Sequence, residues 1–308
     1  MNTQPLLMKR RDMILRTGLA ALGLGLAPGC ASWSGRPRTK KVLFFTKSAG
    51  FEHSVIKETK GQPSFAAKIL SRLGPEHGIE FTFSKDGSLF TPEYLAGFDA
   101  FFFYTTGDLT TAGGDHNPAM TPAGKAAFLD AIKAGKGFIG THAATDTFHS
   151  QSAGPGQNGG DIVDPYIQMI GGEFIIHGSQ QKARMRVADT KFPGMAERGA
   201  GFDLNDEWYS LKNFAPDLHV LLVQETEGMH DGPYKRPAYP ATWARRHGKG
   251  HVFYTSMGHR EDVWENPIFQ EILFGGIGWA VGNLRAEVKP NFLQVTPDGA
   301  TLPAANRR

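Results

Sequence analysis

The strongest constraint on the fold is an alternation of short, continuous apolar runs with helical patterns. Because the runs do not alternate between apolar and polar residues, they are typical of strands buried on both faces. Six runs fit this description: Val42–Phe45, Ile79–Phe83, Phe98–Tyr104, Gly137–Gly140, Val220–Val223 and Val252–Tyr254. Four helical patterns lie between or after them: Ser64–Leu73, Pro122–Ala134, Pro165–Ile170 and Pro267–Val281. This alternation predicts an α/β fold whose mainly parallel sheet is covered on both faces.

The globular pattern extends from residue 41 to about residue 285. Residues 31–40 precede it and have the composition of a flexible linker. Residues 286–308 follow it, contain three prolines, and are expected to form an extended tail. Within the globular part, residues 185–243 are less regular and are a candidate region for additional antiparallel strands.

The net positive charge of the chain comes from its first residues. The full sequence has 33 Lys and Arg against 30 Asp and Glu. Residues 1–29 hold four of the basic residues and one of the acidic ones, so the remaining chain has 29 of each and is neutral. A neutral body offers no broad positive surface for a phosphate backbone, and we expect no nucleic-acid partner.

The residues present also exclude some cofactor chemistry. Cys30 is the only cysteine, so the chain cannot form an intramolecular disulfide or a multi-cysteine zinc or iron–sulfur site. The loop at residues 47–54, after the first apolar run, has no G-x-x-x-x-G-K-[ST] motif. We therefore expect no nucleotide cofactor.

Residues 1–30 are interpreted as an export signal. Arg10 and Arg11 precede a mildly apolar stretch of about ten residues, Thr17–Leu26, which is too short to span a membrane as a helix. The arginine pair is typical of twin-arginine signals. An ordinary secretory signal and a disordered tail are the alternatives.

Cys30 is a candidate site for lipid attachment. It follows the small residue Gly29, as in bacterial lipoprotein signals, whereas Ala27 and Pro28 depart from the usual pattern. Simple cleavage just after this cysteine is the alternative. Either route predicts a periplasmic or otherwise extracytoplasmic protein, with the lipid anchor as its only expected membrane contact.

Candidate functional residues follow the apolar runs, because ligands bind at the carboxyl ends of the strands in such sheets. His53 follows the first run, after a turn that Gly50 allows. It is a candidate metal ligand, with a purely structural histidine as the alternative. Thr106 and Asp108 follow the third run and are candidates for binding a polar substrate, although a turn or a helix cap uses the same residue types.

The segment after the fourth run is the most informative. Gly140 and Ala144 flank His142 with the spacing of a nucleophile elbow, but the central residue is a histidine. A histidine there acts as a base or a metal ligand rather than as an acyl-transfer nucleophile. Asp146 lies about one helical turn further on, where it can orient His142 or cap a helix. His142 and Asp146 are therefore candidate catalytic residues.

An acidic and aromatic segment supplies the next candidates. Glu207 is followed by Trp208 and Tyr209. Carboxylates beside aromatic rings suit a sugar, which has an apolar face and a rim of hydroxyl groups. Glu207 is thus a candidate catalytic residue and the two aromatics are candidate substrate contacts. The alternative is a surface loop that Trp208 anchors in the core.

Two more histidines end apolar runs. His177 follows residues 173–176, and His259 follows the last run and precedes Arg260, a candidate substrate contact. The predicted metal ligands are His53, His142, His177 and His259, near Asp146 and Glu207. Such nitrogen and oxygen ligands suit a divalent ion, with zinc as the preferred choice. The remaining histidines are expected at the surface or in the core: His77, His116, His149, His219, His230, His247 and His251.

Taken together, these segments resemble the ThuA-like (trehalose utilisation) family. The matching residues are Ala49-Gly50-Phe51-x-His53, Thr105-Thr106-Gly107-Asp108, Gly140-x-His142-Ala143-Ala144-x-Asp146-Thr147, Asp206-Glu207-Trp208-Tyr209, Gly248-Lys249-Gly250-x-Val252-Phe253-Tyr254-Thr255, Gly258-His259 and Gly275-Gly276-Ile277-Gly278-Trp279-Ala280. The resemblance covers about Lys41–Gly282, so residues 41–285 are interpreted as a ThuA-like domain.

The resemblance implies a flavodoxin-like, three-layer α/β sandwich similar to that of class I glutamine amidotransferases. This chain has His142 where those enzymes have their nucleophilic cysteine, so glutaminase activity is not implied. The family is tied to the metabolism of disaccharides and other sugars, including 3-keto-glycosides. Two positions depart from the family pattern: Glu52 replaces a common arginine, and Gly178 replaces a common proline.

Our first functional hypothesis is a metal-assisted hydrolase or isomerase that acts on a glycoside or a 3-keto-glycoside. A small-molecule carbohydrate is the expected partner. The alternative is a non-catalytic carbohydrate-binding or accessory protein on the same fold. An active amidotransferase is disfavoured, because the elbow has no thiol. The sequence makes no prediction about oligomeric state.

The export interpretation makes a direct prediction. Replacing both arginines, as Arg10→Lys with Arg11→Lys, is expected to stop export, because the twin-arginine machinery recognises the arginine pair. Cell fractionation followed by immunoblotting measures the exported share. The matched control Arg16→Lys leaves the pair intact and should be exported normally. Normal export of the double variant would contradict the interpretation.

Overall fold

The computed structural model describes residues 38–151 and 162–303. The predicted signal at residues 1–30 and most of the linker therefore lie outside the described residues. The strands are β1 Lys40–Phe45, β2 Ile79–Ser84, β3 Ala100–Phe103, β4 Gly137–Thr141, β5 Glu173–His177, β6 Gln181–Val187, β7 Gly201–Asp206, β8 Tyr209–Lys212, β9 His219–Glu225, β10 Tyr239–His247 and β11 Gly250–Thr255. The α-helices are α1 Phe65–Leu73, α2 Pro92–Ala96, α3 Pro122–Ala134, α4 Pro165–Ile170, α5 Glu261–Glu265, α6 Pro267–Ala280 and α7 Phe292–Val295.

Nine of these strands form one sheet in the order β2-β1-β3-β4-β11-β10-β9-β6-β7. The pairs from β2 to β11 are parallel. The pairs from β11 to β7 are antiparallel, and they come largely from the irregular region at residues 185–243. Strands β5 and β8 form a separate antiparallel pair. The predicted α/β fold with its parallel central sheet is thus confirmed.

The helices form two groups that pack on the sheet. Helix α5 contacts α1 and α6, and helix α3 contacts α2 and α4, while β11 touches α6 of the first group and α3 and α4 of the second. The four predicted helices begin where a polar side chain caps the first turn: Ser64, Thr121, Asp164 and Asn266. Proline follows three of these caps, where its missing N–H costs nothing. No α-helix in the described residues is long and apolar enough to cross a bilayer.

Part of the segment expected to be an extended tail is packed against the domain. Residues 286–303 have little regular structure, but they include the short helix α7. Phe292 is buried, and the side chain of Asn291 accepts from Val220 N and donates to Val220 O. The prolines prevent a long helix, whereas the apolar and amide side chains still anchor the segment on β9.

A buried ion pair fixes the loop that follows β3 on the carboxyl side of the sheet. Lys47 is fully buried, and its Nζ lies 3.0 Å from Asp115 Oδ1. The ammonium also donates to Ala112 O and Asn117 O, each at 2.7 Å. Because all three ammonium protons have acceptors, the desolvated charge is fully compensated.

Removing one partner of this pair is expected to destabilise the fold strongly. In the variant Lys47→Met, Asp115 remains as a buried and uncompensated carboxylate, which costs about 3–5 kcal/mol. Urea denaturation monitored by circular dichroism measures the free energy of unfolding. The control Lys57→Met changes an exposed lysine and should stay within about 0.5 kcal/mol of the wild type. Equal losses in both variants would show that the ion pair has no special role.

Candidate functional site

Four side chains from separate loops converge at the carboxyl ends of the parallel strands. They belong to His53, His142, Glu207 and His259, and one potential ligand atom of each lies within 4.8 Å of those of the other three. His53 follows β1, His142 follows β4, Glu207 follows β7, and His259 follows β11. The first three are buried and His259 is partly buried. We call these four residues the His/Glu group.

His142 occupies a strained backbone position directly after β4. Its φ is +42°, a conformation that costs a non-glycine residue of order 1–3 kcal/mol. The small neighbours are required, since a Cβ on Gly140 would lie 3.0 Å from that of Ala144. The His142 Nδ1 lies 3.1 Å from Ser256 O, so Nδ1 carries the proton in the neutral ring. The unprotonated Nε2 therefore points into the His/Glu group.

The spacings within the His/Glu group are those of atoms that share one cation. His142 Nε2 lies 3.4 Å from Glu207 Oε2 and 3.3 Å from His259 Nδ1. Glu207 Oε2 lies 3.1 Å from His259 Nδ1. A metal ion with bonds of about 2.0–2.1 Å in tetrahedral geometry separates its ligand atoms by roughly 3.4 Å. The group is thus able to hold a metal ion.

The protonation states also suit a metal. Burial, and then the nearby His142 and His259, lower the pKa of His53 to about 2, so this ring is neutral at ordinary pH. Burial raises the pKa of the Glu207 carboxyl, but its contacts with the His142 and His259 rings outweigh burial and hold that pKa well below its usual range. Neutral imidazole and ionised carboxylate are the forms that bind metals.

His53 also has a buried nitrogen without a partner. Its Nδ1 makes no hydrogen bond to the described residues, while its Nε2 lies 3.5 Å from Tyr209 Oη. An unpaired buried nitrogen costs about 1–3 kcal/mol. A bound ligand at the site can supply the missing partner.

A buried carboxylate ties the segments of Glu207 and His259 together. Asp206 accepts hydrogen bonds from Glu207 N at 3.0 Å and from Gly258 N at 2.7 Å. Gly258 has φ +116°, where only glycine is unstrained, and an added Cβ would lie 3.0 Å from Thr141 Oγ1. Burial raises the pKa of Asp206, because the charged form of a carboxyl group is less stable away from water.

The His/Glu group opens onto a cavity of about 380 Å³. The lining residues are Phe51, His53, Asp146, Phe174, His177, Glu207, Tyr209 and His259. Phe51 is 68% exposed at the rim, and the Phe174 and Tyr209 rings pack with centroids 4.1 Å apart. Two carboxylates and several aromatic rings line the cavity, and no lysine or arginine is among these residues.

Comparison with known proteins identifies the family to which the chain belongs. The family model described as trehalose utilisation, ThuA, matches residues 41–280. The chain belongs to the ThuA family. No curated protein sequence matches it.

Two solved ThuA-like structures share the fold. A ThuA-like protein from Bacteroides uniformis has a TM-score of 0.57 at 18% identity, covering 84% of this chain and 100% of its own. A second, from Parabacteroides merdae, has a TM-score of 0.55 at 16% identity, covering 86% of this chain and 97% of its own. The flavodoxin-like fold expected from the sequence is thus confirmed.

The ThuA chain brings together three of the four predicted histidine ligands, His53, His142 and His259, with Glu207, which was expected beside them. His177 lies outside the His/Glu group. His177 ends β5 in the separate two-stranded sheet, its side chain is 45% exposed, and its Nδ1 lies 3.4 Å from the other carboxylate oxygen, Glu207 Oε1. His177 therefore borders the group from the cavity side.

Trp208 is placed differently from the two residues beside it. It is fully buried, and its indole Nε1 donates to Gln181 O at 2.8 Å. This is the core-anchor alternative, and Trp208 does not line the cavity. Tyr209 does line it. Exposed Phe51, which was not singled out in the sequence, offers the aromatic face at the rim.

Three further candidate contacts lie outside the cavity lining. Thr106 is buried, and its hydroxyl donates to Phe51 O at 2.9 Å, which holds the rim loop. Asp108 is exposed and accepts from Thr110 in a turn. Arg260 donates to Asp262 and to Gln180. Their direct contact with a substrate remains a prediction.

The sequence analysis missed His149. Its Nε2 lies 2.8 Å from Asp146 Oδ1, and its Nδ1 lies 3.3 Å from Glu173 Oε1. Hydrogen bonds with Asp146 and then with Glu173 raise the pKa of His149 to about 9. His149 lies beyond the end of the 3-10 helix His142–Asp146, so no helical spacing in the sequence connected it with Asp146.

The raised pKa of His149 predicts a pH dependence of stability. Between about pH 6.5 and about pH 9, folded His149 keeps a proton that the unfolded chain has lost, so this stabilisation is complete below that window and lost as the pH rises through it. Urea denaturation at several pH values should show the wild type losing more stability across the window than His149→Ala. Parallel curves for the two proteins would contradict this prediction.

Proposed function

We propose that this ThuA protein is a metal-assisted carbohydrate enzyme, a hydrolase or isomerase of a neutral glycoside or 3-keto-glycoside. The observation that carries the proposal is the triangle of His142 Nε2, His259 Nδ1 and Glu207 Oε2, with sides of 3.1–3.4 Å. His142 Nε2 and Glu207 Oε2 are both acceptors, so at 3.4 Å they need a shared proton or a cation between them. A metal ion is the cation that all three atoms can bind together. Zinc fits best, because its usual ligands are imidazole nitrogens and carboxylate oxygens at these spacings.

The cavity supports a sugar as the substrate. Its aromatic rings at Phe51, Phe174 and Tyr209 can cover the apolar face of a sugar ring, and its carboxylates can accept hydrogen bonds from hydroxyl groups. No lysine or arginine is among the described lining residues, which favours neutral sugars over sugar phosphates, since phosphates are commonly bound by such side chains.

The chain provides three distinct roles at the site. The His/Glu group would hold a divalent ion, which would supply a Lewis acid toward a carbonyl or hydroxyl oxygen of the sugar. Asp146 lines the same cavity and provides a carboxylate that can accept a proton from a hydroxyl group or water. The buried walls limit water at the group, which strengthens each electrostatic contact.

Metal analysis tests the first part of the proposal. Purified wild-type protein incubated with zinc and then dialysed is expected to retain about one zinc per chain, measured by plasma mass spectrometry. Glu207→Gln and His259→Ala each remove a ligand atom of the triangle and should lose the ion, whereas the control His177→Ala should keep it. Absence of zinc and other divalent ions from the wild type would overturn the metal assignment.

Turnover tests the second part. The wild type is assayed against a panel of glucosides, disaccharides and their 3-keto derivatives, with product detected by mass spectrometry. His142→Ala removes a proposed ligand of the Lewis-acid ion, so it is expected to lower kcat at least about 100-fold, more than the loss of a residue that only orients a ligand. Saturable sugar binding without turnover would support the non-catalytic carbohydrate-binding alternative instead.

A further inference from the structure

A chain of three titratable side chains leads away from the cavity wall. Asp146 lines the cavity, and its Oδ1 is held by His149 Nε2 at 2.8 Å. The opposite nitrogen of the ring, Nδ1, lies 3.3 Å from Glu173 Oε1. Asp146 is in the 3-10 helix His142–Asp146, whereas Glu173 begins β5. The imidazole of His149 therefore bridges the cavity wall to a second element of the fold.

Glu173, at the end of this row of side chains, is held in place by burial and hydrogen bonds. The Glu173 side chain is 1% exposed. It accepts from Ser150 N at 2.9 Å, from Ser150 Oγ at 2.5 Å, and from Asn213 Nδ2 at 2.7 Å. Burial raises the pKa of Glu173, but the bonds from His149 and Ser150 outweigh it and lower that pKa to about 2. Glu173 is thus a fixed anion, and it sets the position of the His149 ring.

We infer that Glu173 and His149 form a relay that orients Asp146 toward the substrate, an inference that rests on the proposed function. His149 is a positioning residue, since it acts through Asp146 and does not line the cavity. By occupying Asp146 Oδ1, the imidazole fixes the plane of the carboxylate and leaves Oδ2 to accept a proton. In that step the O–H bond of a sugar hydroxyl or a water breaks, and the proton moves to Asp146.

A purely stabilising role explains this arrangement poorly. The bond to buried Glu173 is enough to anchor His149 in the fold, and stability does not require the other ring nitrogen to hold a carboxylate that lines the cavity, as it does with Asp146. Phe148, the residue before it, has φ +53°. For a bulky side chain this is a strained conformation of the kind that concentrates at functional sites. The fold thus holds a strained segment and a bridging imidazole beside the cavity.

The exposure of His149 allows a selective chemical test. Its ring borders a cavity of about 450 Å³ that also touches Lys125 and Asp164, so a small heterocycle can replace a deleted side chain. In His149→Ala, kcat on the glycoside that the wild type turns over is expected to fall about 10–100-fold, as for partners that orient an active group. KM should change less than about threefold, because the sugar contacts remain.

Added imidazole should restore most of the kcat of His149→Ala. N-methylimidazole fills the same space and binds metals similarly, but it cannot donate from both nitrogens, so it should fail to restore activity. The variant His247→Ala removes a half-buried histidine outside the site, and it should retain wild-type kcat. Full kcat in His149→Ala, equal rescue by both heterocycles, or a change in KM alone would each overturn the relay.

A second measurement separates failure of the relay from failure of the proposed function. ¹⁵N chemical shifts of His149 at pH 7.5 should show both ring nitrogens protonated in the wild type and a smaller protonated fraction in Glu173→Gln. A neutral His149 in the wild type overturns the relay whether or not any sugar is turned over. A protonated His149 in a protein that turns over no glycoside overturns the proposed function and, with it, the role assigned to Asp146.

Discussion

The site depends on the junction between the ends of β4 and β11. Thr141 Oγ1 donates to Met257 O at 2.7 Å, and His142 Nδ1 donates to Ser256 O at 3.1 Å. These bonds join two loops that follow adjacent parallel strands, and they also set which nitrogen of His142 is unprotonated. Without them, neither the tautomer of His142 nor its distance to His259 is determined.

The antiparallel half of the sheet supplies Glu207, the one carboxylate of the His/Glu group. Strand β7 is at the far edge of the sheet, yet the chain leaving it carries Glu207 back to the His/Glu group. It can do so because β8 pairs with β5 rather than with the main sheet, which places Tyr209 opposite His177. Asp206 then links this segment to Gly258, so the antiparallel extension is a structural part of the site.

These pairings explain what the sequence could and could not predict. The apolar runs and the helical patterns predicted the central strands and four helices closely, because both signals are local. His142 and His259 were found because they follow predicted strands. Which of Glu207 and His177 joins the His/Glu group depends on how β5 and β8 pair, and the burial of Trp208 depends on a bond to Gln181 O. Such long-range contacts leave no trace in a local pattern.

The strained elbow shows how one fold can support different chemistry. A nucleophile elbow is a strained turn that exposes a single reactive atom above the sheet. Such strain is typical of functional sites. With His142 at that position, Nδ1 is anchored to Ser256 O and the carbonyl of His142 accepts from Tyr254 Oη at 2.8 Å. The elbow then presents an unprotonated imidazole nitrogen instead of a thiol or hydroxyl group. Once an acceptor atom occupies that point, the neighbouring loops must provide either a proton or a cation. His259 Nδ1 and Glu207 Oε2 lie 3.1–3.4 Å from that nitrogen and from each other, so either a shared proton or a bound cation satisfies the three atoms, and a bound cation is the arrangement we propose.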